Sequence, residues 1–187
     1  MSVKPQDPSV DAPAPGAAMP ASREISALAR HLADAVVAAG AIALSMQRTG
    51  VTSWNKDNNS PVTDADIAVD TFLRDRLMGA TPDFGWLSEE TADNPARLAA
   101  ARIWVVDPID GTRAFIAGER DWTVSAALVE GGRPVAAALF APVSEEVFVA
   151  VRGEGATRNG ATMRASSRAT LQGASVSGPV PEMDAFG

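Results

Sequence analysis

The chain has 187 residues, 46% of them hydrophobic, and a formal net charge of −7. That length and apolar content exclude wholesale disorder and fit one domain with a real core, not two large ones. With no cysteine, thiol catalysis and disulfides are excluded; the single histidine, His31, leaves little room for a His-rich zinc site or a serine–histidine triad, and the acidic charge disfavours a nucleic-acid polymer.

Residues 1–21 hold five prolines and no apolar period, so a disordered tail is expected there. The N-terminus lacks the basic, apolar, small-residue order of a signal peptide, and no stretch reaches the roughly 18 apolar residues of a membrane span. A cytoplasmic protein is expected, or one peripheral at a membrane. Ser22 can cap the next element, in which Ile25, Leu28, Leu32, Val36, Ala39, Ile42 and Met46 recur at helical spacing. His31 takes a helix-surface place in this pattern. "NKDNNSP" then reads as a polar loop. Thr63 can cap a second helix, with Ile67, Leu73 and Leu77 on its inner side and Gly79 near its end.

"FGWLSEE" predicts a short strand running into acidic residues, and "NPARLAAAR" a short helix. "IWVVD" predicts a four-residue apolar strand. Two further strands should join at Gly131-Gly132, and "EEVFVAVRGEGATRNG" reads as another hairpin. "GEGATR" lacks the third glycine of a dinucleotide loop, because Arg158 stands in its place. No repeat of 20 to 50 residues is visible. Helices first and hairpins later predict an α+β fold, helices layered on an antiparallel sheet.

The chemistry concentrates in "WVVDPIDGTRAF", residues 104–115. Pro108 fixes its own φ and disfavours helix at Asp107, so a turn is expected, with Asp107 and Asp110 converging. Two such carboxylates tolerate one another when a cation lies between them. Oxygen ligands without thiol or imidazole select Mg²⁺ or Mn²⁺, and the Ile109 carbonyl could add a ligand. Gly111 and Thr112 stand at a probable helix start, where free N–H groups can seat a phosphate. A bound divalent metal would reconcile a phosphorylated ligand with the acidic charge. On residue types alone, a plain tight turn stays open beside the metal reading. Glu89 and Glu90 could meet the same metal or form a solvated pair. Asp64 and Asp66, in a first helical turn, could serve the helix dipole or hold a water.

"DPIDGT", preceded by "LSEE" and "PVTDAD", resembles the inositol monophosphatase superfamily of Mg²⁺-dependent, lithium-sensitive phosphatases. The resemblance implies a helix–sheet sandwich of the sugar-phosphatase type from about Ser22 onward. It implies Glu89, Asp107, the Ile109 carbonyl and Asp110 as metal ligands, for two or three Mg²⁺ in the complete family. Thr112 and Asp66 would orient and deprotonate the attacking water, with Glu89 also in the catalytic set. Gly111 and Thr112 would seat the phosphate, beside Lys56, Glu89, Ile109 and Asp110. Asp64 stands where the family usually has a small residue and is given a surface or capping role.

Arg113 and the "WTVSAALVE" strand are most similar to the 3'(2'),5'-bisphosphate nucleotidase branch. Arg113 would contact a second phosphate, although a surface place on a short helix fits its position equally. The implied substrate is adenosine 3',5'-bisphosphate from sulfate assimilation, with inositol 1-phosphate and histidinol phosphate as alternatives. The resemblance also allows a homodimer. The family carries a further C-terminal half, with a Trp-Asp-x-Ala-Ala-Gly motif that this sequence lacks. Residues 22–187 are therefore expected to form an N-terminal portion, its class open between an enzyme and a metal- or phosphate-binding remnant without turnover.

Overall fold

A computed structural model describes residues 20–56, 60–170 and 172–175; the expected tail lies almost wholly outside them. Helix α1 (Pro20–Thr49) is followed by the hairpin strands β1 (Ser53–Asn55) and β2 (Pro61–Thr63), then helix α2 (Asp64–Ala80). Strand β3 (Gly85–Ser88), a 3₁₀ turn at Pro95–Ala99 and strand β4 (Arg102–Asp110) lead to the one-turn helix α3 (Thr112–Ile116). The chain continues as β5 (Thr123–Glu130), β6 (Arg133–Ala141), β7 (Glu146–Val151), β8 (Gly155–Arg158) and β9 (Ala161–Thr162).

Strands β3 to β9 form one sheet in chain order. The α+β class holds, with one correction: β3 runs parallel to β4, so the sheet is mixed. A parallel pair needs a crossover, and residues 89–101 with their 3₁₀ turn supply it without a full helix. The remaining pairs are antiparallel, including β5–β6 across Gly131-Gly132 and the β7–β8 hairpin.

Helices α1 and α2 pack on one face. Alternation along the strands sends Trp104, Val124, Leu128, Ala136 and Ala138 into that layer, where they meet Leu32, Val36, Ala39, Val69, Leu73 and Leu77. Small side chains on β6 let α1 approach closely, and Gly40 is the tightest point. A Cβ there would overlap the Phe140 ring and come within 2.8 Å of Pro142. At the far end of α2, Thr81 donates to the Leu77 carbonyl at 2.8 Å and receives the Trp104 indole N–H at 2.9 Å. The largest buried side chain of β4 thus has its polar atom satisfied. Arg102 joins Glu24 of α1 and Glu130 of β5, each at 2.7 Å, and lies over the Phe84 ring.

Four local expectations need correction. Helix α1 starts at Pro20, so Ser22 sits inside its first turn and donates its hydroxyl to Glu154 instead of capping. "NKDNNSP" is framed by paired strands, with Ser53 opposite Thr63. Ile67 is exposed, because Ala65, Val69, Leu73 and Leu77 form the buried stripe of α2. Helix α1 is also long and apolar enough, by length and composition alone, to cross a membrane. Its apolar stripe is spent on the protein core.

Gly40 and Gly79 give a paired test. Alanine favours a helix interior over glycine by about 1 kcal/mol, while overpacking costs about 1–3 kcal/mol. At Gly40 the overlap with a buried ring outweighs propensity, so Gly40→Ala should lower Tm. Gly79 has open space around it, and Gly79→Ala should raise Tm by roughly 2–4 °C. Thermal melts of both variants check the sign.

Candidate active site

Strand β4 does not stop at Asp107, as the sequence implied; it continues to Asp110 through a bulge. Asp107 pairs with Ser125 and Asp110 with Thr123, so three steps on β4 match two on β5. Pro108 has no N–H to give a ladder, which makes this the place where an extra residue costs least. Residues three apart on a regular strand face opposite sides. The extra residue returns Asp110 to the side of Asp107, while Pro108 and Ile109 are buried.

The turn into α3 depends on Gly111. Its φ of +90° disfavours any side chain, and a Cβ would come within 2.7 Å of the Asp121 carbonyl. The Thr112 hydroxyl donates to the Ile109 carbonyl at 3.0 Å. Phe115 packs edge-on against Trp122 at 4.9 Å, and the Gln47 amide of α1 donates to the Phe115 carbonyl at 2.9 Å. The loop is therefore held from both the sheet and the helix layer.

The Glu89-Glu90 segment is anchored to the same strand end. The Glu89 N–H donates to the Val106 carbonyl, the Glu90 N–H to the Ser88 hydroxyl, and Thr91 donates to the Asp70 carboxylate. The two glutamates diverge: the Glu89 side chain is 56% exposed and that of Glu90 is 6% exposed. Lys56 lies 2.7 Å from Glu90 and 3.5 Å from Glu89. Burial lowers the Lys56 pKa, but the hydrogen bond and charge of Glu90, with Glu89 beside it, raise it overall. Burial outweighs Lys56 at Glu90, whose carboxyl is raised.

Asp66 completes the surround. Thr63 caps α2 by accepting from the Asp66 N–H, and the Asp66 carboxylate accepts from the Thr63 N–H at 2.7 Å and from its hydroxyl. Burial raises the Asp66 carboxyl, against these hydrogen bonds and the charge of Lys56. Asp64, by contrast, accepts from the Thr52 N–H and serves the β1–α2 junction. Thr112 and Asp66, paired by the family resemblance, are each engaged elsewhere, with Ile109 and Thr63 respectively. Arg113 is exposed on α3.

Asp107 feels the whole assembly. Burial first, then the charges of Glu89, Asp110, Asp66 and Glu90, push its carboxyl from an ordinary 3.8 up to about 7. Four carboxyl groups thus act on that of Asp107, and the Lys56 ammonium meets three of the four, Glu90, Glu89 and Asp66. Among the described residues no three of them already form a coordination shell. Like charges hold one another apart, and Lys56 draws Glu90 to itself. The donors are all hard oxygens with an excess of negative charge, and they fit Mg²⁺ or Mn²⁺ in kind. The sequence offered Glu90 a shared metal or a solvated pair, and the structure buries it against Lys56 instead. Its burial depends on the reach of Lys56 from the β1–β2 hairpin, which no local pattern reports.

A mixed sheet backed by two helices, with acidic groups gathered at a bulged strand end, defines a sugar-phosphatase type of fold. The chain belongs to the inositol monophosphatase family, whose pattern it matches over residues 22–182. It is 39% identical over 134 residues to the 3'(2'),5'-bisphosphate nucleotidase CysQ of Salmonella typhimurium, covering 70% of this chain and 52% of that protein. An inositol-1-monophosphatase of Rhizobium meliloti is 35% identical over 122 residues, covering 65% and 46%. The crystal structure of the extragenic suppressor protein suhB from Bartonella henselae superposes with a TM-score of 0.71 at 30% identity, over 76% of this chain and 55% of that one. The chain spans about half the length of the curated relatives it matches.

The raised Asp107 carboxyl has a stability consequence in the metal-free chain. The folded state keeps a proton that the unfolded state sheds above its ordinary value, so folding loses stability as pH rises from about 4 to 7. Asp107→Asn carries no charge to repel its neighbours. In melts with chelator present, this variant should gain Tm over wild type at pH 8, with little gain at pH 4. A loss of Tm at pH 8 would contradict the repulsion.

Proposed function

We propose that the chain supplies the metal- and phosphate-binding part of a Mg²⁺-dependent phosphomonoesterase acting on adenosine 3',5'-bisphosphate. The observation that carries the reading is the excess of carboxylate around Asp107, directly beside Gly111 and the start of α3. Glu89, Asp107, Asp110 and the Ile109 carbonyl are the groups that would hold the cation. Mg²⁺ held there supplies charge neutralisation and Lewis acidity for the attack of water and the departure of the alcohol.

The remaining steps belong to side chains. Thr112 spends its proton on the Ile109 carbonyl, which leaves its oxygen as an acceptor that can orient a water. Asp66, made more basic by burial, is the acceptor for that water's proton. Lys56, held by Glu90, brings positive charge to the phosphate. Water then displaces the alcohol at phosphorus: one P–O bond forms, the ester P–O bond breaks, and the leaving oxygen takes up a proton. No protein nucleophile is required, in keeping with a chain that has no cysteine.

The likeness to the nucleotidase favours a bisphosphorylated substrate, and Arg113 is free to meet its second phosphate. A charge-assisted arginine pair is worth about 1.5–3 kcal/mol, roughly 10- to 100-fold. Phosphate release should therefore favour adenosine 3',5'-bisphosphate over inositol 1-phosphate by that factor in kcat/KM, and Arg113→Gln should erase the preference. In the full-length context, Thr112→Ala should lower kcat by about 10²-fold with little change in KM. Inositol 1-phosphate ahead by tenfold would move the chain to the other substrate. Mg²⁺ binding without turnover of either ester would leave a binding remnant.

A further inference from the structure

The β1–β2 hairpin carries a tryptophan that the core does not use. Trp54 is 46% exposed, whereas Trp86 is 8% exposed and Trp104 and Trp122 are fully buried. Trp54 lies on β1 and Lys56 directly follows that strand. The two side chains share a groove of about 320 Å³ with Val62, Ile67, Glu89 and Glu90. Ile67, which α2 leaves out of its buried stripe, is exposed in the same place.

The lining of the groove combines two chemistries. Trp54 and Ile67, with Val62 beneath, make part of the lining apolar, while Lys56, Glu89 and Glu90 make part of it charged and shared with the candidate active site. Its volume is at the lower limit for small-molecule sites, roughly 300–1,000 Å³. An exposed indole offers a stacking surface, and a ligand that used both chemistries would carry a π face for Trp54 and an anionic group for Lys56. A polyol phosphate has no such face. A nucleotide has both.

We propose that Trp54, backed by Ile67, is a specificity-determining wall that stacks on the nucleobase of a phosphorylated nucleoside whose phosphate lies toward Lys56. The inference rests on the phosphomonoester reading for the position of the phosphate. It adds to that reading a recognition element far in sequence from the acidic motifs.

Acrylamide quenching of tryptophan fluorescence reads this residue directly, because the other three tryptophans are buried. The 187-residue chain is titrated, with Mg²⁺ present, with adenosine 5'-monophosphate and separately with inositol 1-phosphate. Calorimetry gives Kd for wild type, Trp54→Ala and Trp54→Phe. The nucleotide should shield the accessible tryptophan and inositol 1-phosphate should not. Trp54→Ala should weaken nucleotide binding roughly 5- to 150-fold, the scale of one base–aromatic stack. Trp54→Phe should keep most of the affinity, and inositol 1-phosphate should bind all three alike. Unchanged nucleotide affinity in Trp54→Ala, no nucleotide binding at all, or a Trp54 already inaccessible in the free chain would each overturn the wall. Shielding by nucleotide without ester hydrolysis would uphold it and overturn the phosphatase reading. Hydrolysis with no effect of Trp54→Ala would do the reverse.

Discussion

Two carboxylates three residues apart can share a side of a strand only if the strand carries an extra residue between them. The bulge at Pro108 and Ile109 is that residue, and the site depends on it. It aligns Asp107 with Asp110, buries the two residues between them and leaves the Ile109 carbonyl to receive Thr112. A regular strand would have driven Asp110 into the layer of Trp104 and Val106, where an unpaired charge costs several kcal/mol.

The rest of the fold holds this strand end in place. Below it, the Trp104 indole is anchored to the end of α2, so β4 is fixed along its length. Beside it, the Glu89 N–H on the Val106 carbonyl extends the parallel β3 pairing to the acidic pair. Above it, Gly111 permits a turn so close to Asp121 that no side chain would fit. Opposite, the buried cap of α2 presents Asp66 from a rigid helix start. Burial and the neighbouring carboxylates push the Asp107 carboxyl up, so its ionised form is disfavoured where it stands. Strain of this kind persists where the surrounding structure over-determines it, as it does here.

Much of this was legible in the sequence. Three- and four-residue spacing located α1, the Thr63 cap located α2, Gly131-Gly132 located the β5–β6 hairpin, and the acidic motifs announced the chemistry. What escaped were features set by partners distant in the chain. Pro108 argued locally for a turn, and only the β5 register reveals a bulge. The parallel β3 looked like any short strand, because burial on both faces gives no clear period. Ile67 fitted a helical stripe that in the event ran through Ala65 and Val69, small residues whose burial the pattern underweights. Trp54 sat in a polar segment with nothing to indicate a groove. The Thr112–Asp66 pair came from the family resemblance alone; in this structure Thr112 donates to the Ile109 carbonyl and Asp66 accepts from Thr63.

The central claim is that the carboxylates at the β4 bulge lack sufficient positive charge and take a divalent cation. A cation that binds only the folded state raises stability by RT ln(1 + [L]/Kd), about 2.7 kcal/mol at a hundredfold excess over Kd. The direct measurement is Tm at pH 8 against Mg²⁺ concentration, with KCl at matched ionic strength as control. The account predicts a rise that continues with the logarithm of Mg²⁺ while KCl gives only a small screening increment. Equal responses to Mg²⁺ and KCl would mean that the acidic groups are a screened surface cluster and not a metal site.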